Sequence, residues 1–179
     1  MTLRTRTDFW MDVAMIAFLV ALDVAARLLP HAPGVWPVAA TALFAGRTFR
    51  IPALALLVPI IAVLLSDFVL PGDDWRVLLV VMAATLVPVF AGMLARRWRG
   101  ALAVIGAMVA SSLVFFAATN FAVWAFNDMY PMTLQGLAQC YVAALPFLDR
   151  TVLGDLIWTG VLFGGFWLMH RRPVFGRAL

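Results

Sequence analysis

The chain has 179 residues, of which 65% are hydrophobic and only 12% charged, and its mean hydropathy is +1.00. A soluble domain carries about 45–50% apolar and about 25% charged residues, so the composition excludes a water-soluble enzyme, a nucleic-acid-binding domain and a disordered chain. All 13 basic residues are arginine and all 9 acidic residues are aspartate, which excludes lysine Schiff-base and glutamate acid/base chemistry. The net charge of +4 indicates arginine anchoring at the cytoplasmic face of a bilayer rather than binding to nucleic acid.

Apolar blocks separated by short polar breaks follow one another along the chain, a pattern typical of multi-pass membrane proteins. In chain order they cover Phe9–Leu29, Val38–Gly46, Ile51–Leu70, Val77–Ala95, Ala101–Phe126 and Thr151–Met169. Because no hydrophilic stretch is long enough for a soluble domain, we predict a single all-α transmembrane domain over residues 1–179. The first block is long and carries no small-residue cleavage site, so we expect a retained helix rather than a signal peptide.

The second block decides the number of spans. Counted from Ala32 to Gly46 it holds about 15 residues, or about 22 Å of helix, which is short for a hydrocarbon core about 30 Å thick. If it crosses, one side of the membrane holds only Arg76 and Arg150 as basic residues, and the positive-inside rule is satisfied. We therefore predict six transmembrane helices with both termini in the cytoplasm of a bacterium, in its inner membrane. The arginines that then share the cytoplasmic side are Arg4, Arg6, Arg47, Arg50, Arg96, Arg97, Arg99, Arg171, Arg172 and Arg177, opposite Asp73, Asp74, Asp128 and Asp149.

The segment Asn127–Arg150 is too apolar for a free loop. Leu134, Leu137 and Tyr141 recur at helical spacing in it. We predict a short amphipathic helix in this last outer loop, lying over the outer mouth of the bundle as a lid.

Charged side chains inside apolar blocks cost about 2.5–3.5 kcal/mol each on insertion scales and ask for a reason. The candidates that we select, together with one amide, all fall in the outer half of the membrane in the predicted topology: Asp23, Arg27, Asp67, Asn120 and Asp155. The few polar residues of the inner half are Thr85, Ser111, Ser112 and Thr159. This asymmetry predicts a polar cavity that opens outward over an apolar plug. The structural alternative is that Asp23 pairs with Arg27, four residues away on the same helix face, while the other carboxylates are interfacial.

Further candidate ligand contacts come from the outer loops. Trp36, Trp124 and Tyr130 offer flat apolar surfaces, and Gln139 offers an amide. His31 is either a helix-capping or interfacial histidine or a metal ligand. Cys140, the single cysteine, is either a buried small hydrophobe or a thiolate ligand to a soft metal in a bound molecule. The substrate-binding set predicted from the sequence is Arg27, His31, Trp36, Asp67, Asn120, Trp124, Tyr130, Gln139, Cys140 and Asp155.

No HExxH, P-loop, CxxC or serine–histidine motif occurs, so we expect no enzyme activity and no intrinsic cofactor. Small residues at helix-packing spacing, Ala17, Ala21 and Ala25, form either an interface for a partner helix or a chance stripe in an alanine-rich chain.

Six short helices in about 180 residues, both ends inside and an outward pocket closed by loops together resemble the S components of energy-coupling-factor transporters. The resemblance implies capture of a vitamin or other micronutrient from outside and transfer inward with an energising module, whose transmembrane coupling subunit would contact Ala17, Ala21 and Ala25. It implies the lipid bilayer, a small molecule and this module as partners.

A second resemblance covers most of the chain. The segments RLLPH (Arg27–His31), PVAATALFAG (Pro37–Gly46), LSD (Leu65–Asp67), TNFAVW (Thr119–Trp124), Tyr130–Pro131, GLAQCYVAALPF (Gly136–Phe147) and Gly154–Asp155 are similar to an uncharacterised bacterial membrane family, from which no activity carries over. Solitary S-component-like proteins for cobalamin are similar in scale, and some contact cobalt through a cysteine. That likeness implies cobalamin as a transported ligand, with Cys140 as its metal ligand.

The sequence thus predicts a substrate-binding membrane subunit of S-component type. Two other classes remain open. The first is a non-transporting assembly or scaffold subunit, whose polar residues would hold helices together. The second is a proton-coupled carrier with Asp67 and Asp155 as a relay, which is disfavoured because no polar path continues to the inner face.

Overall fold

The computed structural model describes residues 6–28, 35–69, 74–98 and 100–170. Six helices occur in these residues: α1 (Arg6–Leu28), α2 (Val38–Thr48), α3 (Pro52–Val69), α4 (Trp75–Ala95), α5 (Ala101–Phe126) and α6 (Leu134–His170). Five of them, all except α2, are long and apolar enough to cross a membrane. The predictions of an all-α chain and of a multi-pass membrane protein are therefore confirmed.

The short helix α2 lies at the centre of the bundle. It has 11 residues, or about 16 Å of helix, so it does not by itself cross a core about 30 Å thick. Val38 and the run Ala40–Gly46 are buried, and α2 packs against each of the other five helices. The apolar side chains of α2 therefore contact other helices, whereas most apolar side chains of the long helices lie on the outer surface.

The contact between α2 and α4 brings the two backbones together. A Cβ placed on Gly46 would overlap the backbone of Val89, and one placed on Gly92 would overlap the carbonyl oxygen of Leu43. Small residues allow this approach, and the absence of a side chain at both glycines sets the distance between the helices.

Arginines at the C-terminal ends of α2 and α4 meet at one end of the bundle, which we call the arginine end. Arg47 donates hydrogen bonds to the carbonyl oxygens of Ala95 and Trp98. Arg96 donates to the carbonyl oxygens of Gly46 and Phe49. The C-terminal ends of α2 and α4 therefore lie side by side, as the clustering of arginines predicts.

The opposite end, which we call the aspartate end, joins the C-terminal ends of α1, α3 and α5 to the N-terminal ends of α4 and α6. Arg27 near the end of α1 contacts Asp67 near the end of α3, and the guanidinium of Arg76 at the start of α4 lies 5.8 Å from the ring centre of Phe126 at the end of α5. Each helix consequently runs antiparallel to the one before it.

The outer surface of the long helices is apolar. Phe68 is 92% exposed and Leu102 is 85% exposed, and most residues of every long helix lie outside the core. Exposed apolar surface on this scale is expected of helices whose solvent is the bilayer.

The predicted lid helix is wrong as a separate element. Residues 127–133 form the connection after α5, and α6 then runs without interruption for 37 residues, or about 56 Å. Its first turns lie along α5, since Tyr141 donates through its hydroxyl to the carbonyl oxygen of Ala117 at 2.6 Å and stacks near Phe116 with ring centres 5.8 Å apart. The helical spacing of the segment is real, but Tyr141 packs on α5 and Leu134 is 86% exposed, so the segment is the start of a long helix and not a lid.

Candidate functional site

A cavity of about 280 Å³ lies at the N-terminal end of α2. It exists because α2 is shorter than its neighbours, which continue past its first turn and enclose the space that a longer helix would fill. Each of the six helices contributes at least one residue to it, and Trp36 contributes from just before α2. The residues that line it are Arg27, Trp36, Val38, Ala39, Val63, Val81, Thr85, Pro88, Phe115, Thr151 and Asp155. Its walls are mainly apolar, with a few polar groups.

Arg27 forms an ion pair at the aspartate end of this cavity. Its Nη2 lies 3.1 Å from Oδ1 of Asp67, and the two side chains are 21% and 17% exposed. The predicted pairing of Arg27 with Asp23 is therefore wrong. Position along one helix brings Asp23 and Arg27 near each other, but the C-terminal end of α3 offers Arg27 a carboxylate beside it.

Asp23 instead joins α1 to α2. It is fully buried, and the hydroxyl of Thr41 donates to its Oδ2 at 2.7 Å. The other carboxyl oxygen, Oδ1, is buried and accepts no hydrogen bond from the described residues. Because Thr41 lies in the second turn of α2, a negative group here is also close to the N-terminal dipole of that helix. Asp23 does not line the cavity.

Asp155 is the charged residue of α6 that lines the cavity. Only 4% of it is exposed, and Ser112 on α5 donates through its hydroxyl to Oδ2 at 2.6 Å. The predicted topology assigns Asp155 and Ser112 to opposite halves of the membrane, whereas the structure joins the two side chains by this hydrogen bond. Within the described residues the other carboxyl oxygen, Oδ1, accepts no hydrogen bond.

Two threonines complete the polar lining and were not selected from the sequence as ligand contacts. The hydroxyl of Thr85 donates to the carbonyl oxygen of Met82 at 2.8 Å, and that of Thr151 donates to the carbonyl oxygen of Phe147 at 2.8 Å. Thr151 precedes Asp155 by four residues, which puts both on one face of α6. This spacing is a signal that was available in the sequence.

Most of the other predicted contacts lie away from the cavity. The amide of Asn120 donates to the carbonyl oxygen of Phe116 on its own helix. The indole of Trp124 donates to the carbonyl oxygen of Pro131 at 3.0 Å, which fastens the connection after α5. Tyr130 lies in that connection, and Gln139 is exposed on α6. None of these four side chains lines the cavity, whereas the predicted residues that do so are Arg27, Trp36 and Asp155.

Cys140 is packed between α5 and α6. It is 2% exposed, and its thiol lies 3.4 Å from the carbonyl oxygen of Asn120, to which it donates. Cys140 does not line the cavity, so the interpretation of this residue as a small buried hydrophobe agrees with its position. Across the described residues, no three His, Cys, Asp or Glu side chains form a group that could hold a metal ion.

The remaining predicted positions are on the outside of the bundle or outside the described residues. Ala17, Ala21 and Ala25 are exposed on α1, so the stripe is open to lipid or to another protein. His31 lies outside the described residues.

A second, wider space of about 1050 Å³ lies at the arginine end, between the N-terminal part of α5 and the C-terminal half of α6. Arg47 reaches it, but its lining is otherwise almost entirely apolar or glycine, including Gly160 and Gly164. It holds none of the residues predicted to bind a ligand. The smaller cavity at the N-terminal end of α2 is therefore the better candidate site.

A model of a family of unknown function, DUF6580, matches residues 7–176. The chain belongs to this family. The match covers all six helices, so the DUF6580 domain includes the cavity, the ion pair at its mouth and both ends of the bundle. No curated protein and no solved structure matches the chain.

Proposed function

We propose that this DUF6580 protein is a substrate-binding membrane subunit that holds a small molecule in the cavity at the N-terminal end of α2. The observation that carries the proposal is the cavity itself, which is enclosed by apolar walls and contains an arginine, a largely buried carboxylate and two threonines. Ligand sites of about 300–1,000 Å³ with apolar walls and few polar groups are the usual form of a small-molecule site.

The volume sets the size of the ligand. At about 280 Å³ the space is just below the usual range of ligand sites, which favours a compact molecule over a corrinoid. The position of Cys140 favours the same choice, because its thiol is used within the contact between α5 and α6. The proposal therefore keeps the S-component type and replaces cobalamin by a smaller ligand.

We propose further that the protein crosses the bacterial inner membrane six times and that the aspartate end faces outward. The alternating directions of the six helices support an even number of crossings, with α2 as the helix of the second. The arginines gathered at the opposite end support a cytoplasmic arginine end. The cavity then receives its ligand from outside.

An energising module of the energy-coupling-factor type is part of this proposal. The chain carries no nucleotide-binding motif, so inward release of a tightly held ligand needs another subunit or an ion gradient. The stripe of Ala17, Ala21 and Ala25 is exposed on α1 and would allow close approach of a partner helix.

The alternative function is a scaffold subunit, which the same exposed stripe and the open positions around Gly160 and Gly164 would serve. A scaffold does not need the cavity, so filling the cavity separates the two functions.

The experiment compares ligand binding by cavity-filling variants with that of a matched surface variant. Ala39→Phe and Val81→Trp fill the cavity from two helices, whereas Ala83→Phe adds the same bulk as the first at an exposed position of α4. Native mass spectrometry of the purified proteins detects co-purified small molecules, and thermal shift against a compound library detects binding in their absence. We expect wild type and Ala83→Phe to bind, and both filling variants to lose binding while remaining folded. Absence of binding by wild type in both assays, or binding that survives both filling variants, would overturn the proposal.

A further inference from the structure

Two charged residues line the cavity, Arg27 and Asp155, and of the two only Arg27 has a described partner of opposite charge. Arg27 is neutralised by Asp67, to which it donates at 3.1 Å. Asp155 is contacted by the neutral hydroxyl of Ser112, and no cation pairs with it within the described residues. With Asp67 counted as the partner of Arg27, the site therefore has one carboxylate without a counter-charge in a low-dielectric surrounding, where such a group is costly.

Apart from Ser112, which donates to Asp155, the hydroxyl groups of the cavity lining are available as acceptors. The hydroxyl protons of Thr85 and Thr151 are both used on backbone carbonyl oxygens, so each hydroxyl retains lone pairs toward the cavity. Thr151 and Asp155 share one face of α6, and Thr85 reaches the same cavity from α4. Three acceptors from two helices complement a group with several donors and a positive charge, which an ammonium group is.

The rest of the wall suits an apolar body. Val38, Val63 and Val81 are aliphatic, and Trp36 and Phe115 add aromatic faces that attract cations as well as apolar groups. The guanidinium of Arg27 is the cationic group of the lining, and Asp67 already neutralises its charge, so an anion would compete with that carboxylate.

We propose that the ligand of this cavity is a small protonated amine with a compact apolar body, whose ammonium group binds Asp155 with Thr151 and Thr85 as further acceptors. This inference rests on the proposed function and adds the chemical class of the ligand. The amine supplies the missing counter-charge at Asp155, and the apolar walls hold its carbon skeleton.

The test uses sets of probes that share a carbon skeleton and differ in the charge and hydrogen bonding of the terminal group. Each set pairs an amine with the alcohol and the carboxylate of the same body: 2-phenylethylamine with 2-phenylethanol and phenylacetate, and the corresponding cyclohexyl and isobutyl compounds. Binding to the purified full chain is followed by thermal shift and by the fluorescence of its tryptophans. We expect at least one amine to bind tenfold or more tightly than its alcohol, and the carboxylates to bind more weakly than both.

Two substitutions on α6 sharpen the test. Asp155→Asn keeps the shape of the side chain and removes its charge, and we expect it to reduce the amine's advantage over the alcohol to less than about threefold. Asp149→Asn is the matched control, because Asp149 is exposed and its carboxylate accepts from the backbone N–H of Arg150. This variant should retain wild-type preference.

Each outcome is decisive. Equal or tighter binding of the alcohols or carboxylates, or an unchanged amine preference in Asp155→Asn, would overturn the amine while leaving the proposed function in place, provided that Ala39→Phe still abolishes binding. Amine binding that survives Ala39→Phe would place the amine elsewhere and overturn the inference. Absence of binding by every probe and every library compound would overturn the proposed function and the amine with it.

Discussion

Asp23 on α1 accepts a hydrogen bond from the hydroxyl of Thr41 on α2 at 2.7 Å. Asp23 is fully buried, and among the described residues Thr41 is the one that donates to its carboxylate. The contact joins α1 to the short central helix α2, whose residues Val38 and Ala39 line the cavity. Buried polar groups that lose their partner pay a desolvation cost with no compensation.

Thr41→Val should destabilise the protein by about 1–3 kcal/mol, because it removes this donor and leaves both oxygens of Asp23 unpartnered. Thr48→Val is the matched control. The hydroxyl of Thr48 donates to Phe44 on its own helix, so we expect a loss below about 1 kcal/mol. Thermal unfolding in detergent, followed by far-ultraviolet circular dichroism, measures both. Equal stability of the two variants would contradict the role of the Asp23–Thr41 bond.

Arg27→Ala should lower stability by about 1–3 kcal/mol, since it leaves Asp67 without its partner in a partly buried position. Arg97→Ala removes the same group from an exposed position at the arginine end and should cost less than about 1 kcal/mol. The double exchange Arg27→Asp with Asp67→Arg should recover part of the loss relative to either single exchange. A double variant as unstable as the sum of the singles would show that the ion pair contributes nothing.

Gly92→Ala and Gly46→Ala should each destabilise the bundle by about 1–3 kcal/mol or more, because the added methyl group would overlap the backbone of the facing helix. Gly160→Ala is the control within the same fold. A Cβ at Gly160 meets no described atom within 4 Å, so the substitution should be neutral or stabilise slightly through helix propensity. Thermal unfolding that gives the same order of loss at Gly160 as at Gly92 would contradict the close approach of α2 and α4.

A cysteine at Trp98 should be labelled by a membrane-impermeant maleimide only in opened cells or inverted vesicles, and a cysteine at Asp128 should be labelled in intact cells. Both substitutions are made in a Cys140→Ser background, and both positions are exposed. The expectation follows from the arginine end facing the cytoplasm. Labelling at position 98 from outside intact cells would reverse the proposed orientation.

The native thiol of Cys140 should resist maleimide in the folded protein, with or without added ligand, because its side chain is packed between α5 and α6. Cys140→Ser should be tolerated with a loss of about 1 kcal/mol or less, since serine retains a donor for the Asn120 carbonyl oxygen. Labelling kinetics in detergent, compared with a Leu102→Cys variant in which the cysteine is exposed on α5, measure this. Rapid labelling of Cys140 that a corrinoid suppresses would restore cobalamin as a ligand.

The helices themselves were predictable because hydrophobic block length and interrupting polar residues are local properties. The predicted block Ala101–Phe126 coincides with α5, and the predicted block Ile51–Leu70 differs from α3 by a residue at each end. Whether the helix is interrupted between the expected lid and the last span could not be read from the local sequence, because residues before and after Asp149 are both compatible with a helix. In the structure the first turns of α6 pack on α5, and the helix continues through Pro146.

The sequence predicted some of the residues that line the cavity but not others. The cost of charge in an apolar block singles out Arg27 and Asp155, and both line it. The same reasoning selects Asp23 and Asn120, which do not line the cavity, because an apolar block does not reveal which of its faces points inward when the chain lacks strong amphipathic periodicity. Thr85 was passed over since a threonine that donates to its own helix carries no signal of its surroundings.

The sequence alone determined that this chain is an all-helical membrane protein and that the arginines after α2 and α4 share one end of the bundle with Arg47, because both follow from the cost of placing polar groups in hydrocarbon. Only the tertiary structure decided that Arg27 pairs with Asp67 instead of Asp23, that Asp155 meets Ser112, and that the short α2 leaves a cavity among longer helices. These relationships join residues 40 or more positions apart in the chain. They are set by the packing of the helices, which in turn depends on glycines such as Gly46 and Gly92 that lie against the backbone of a facing helix.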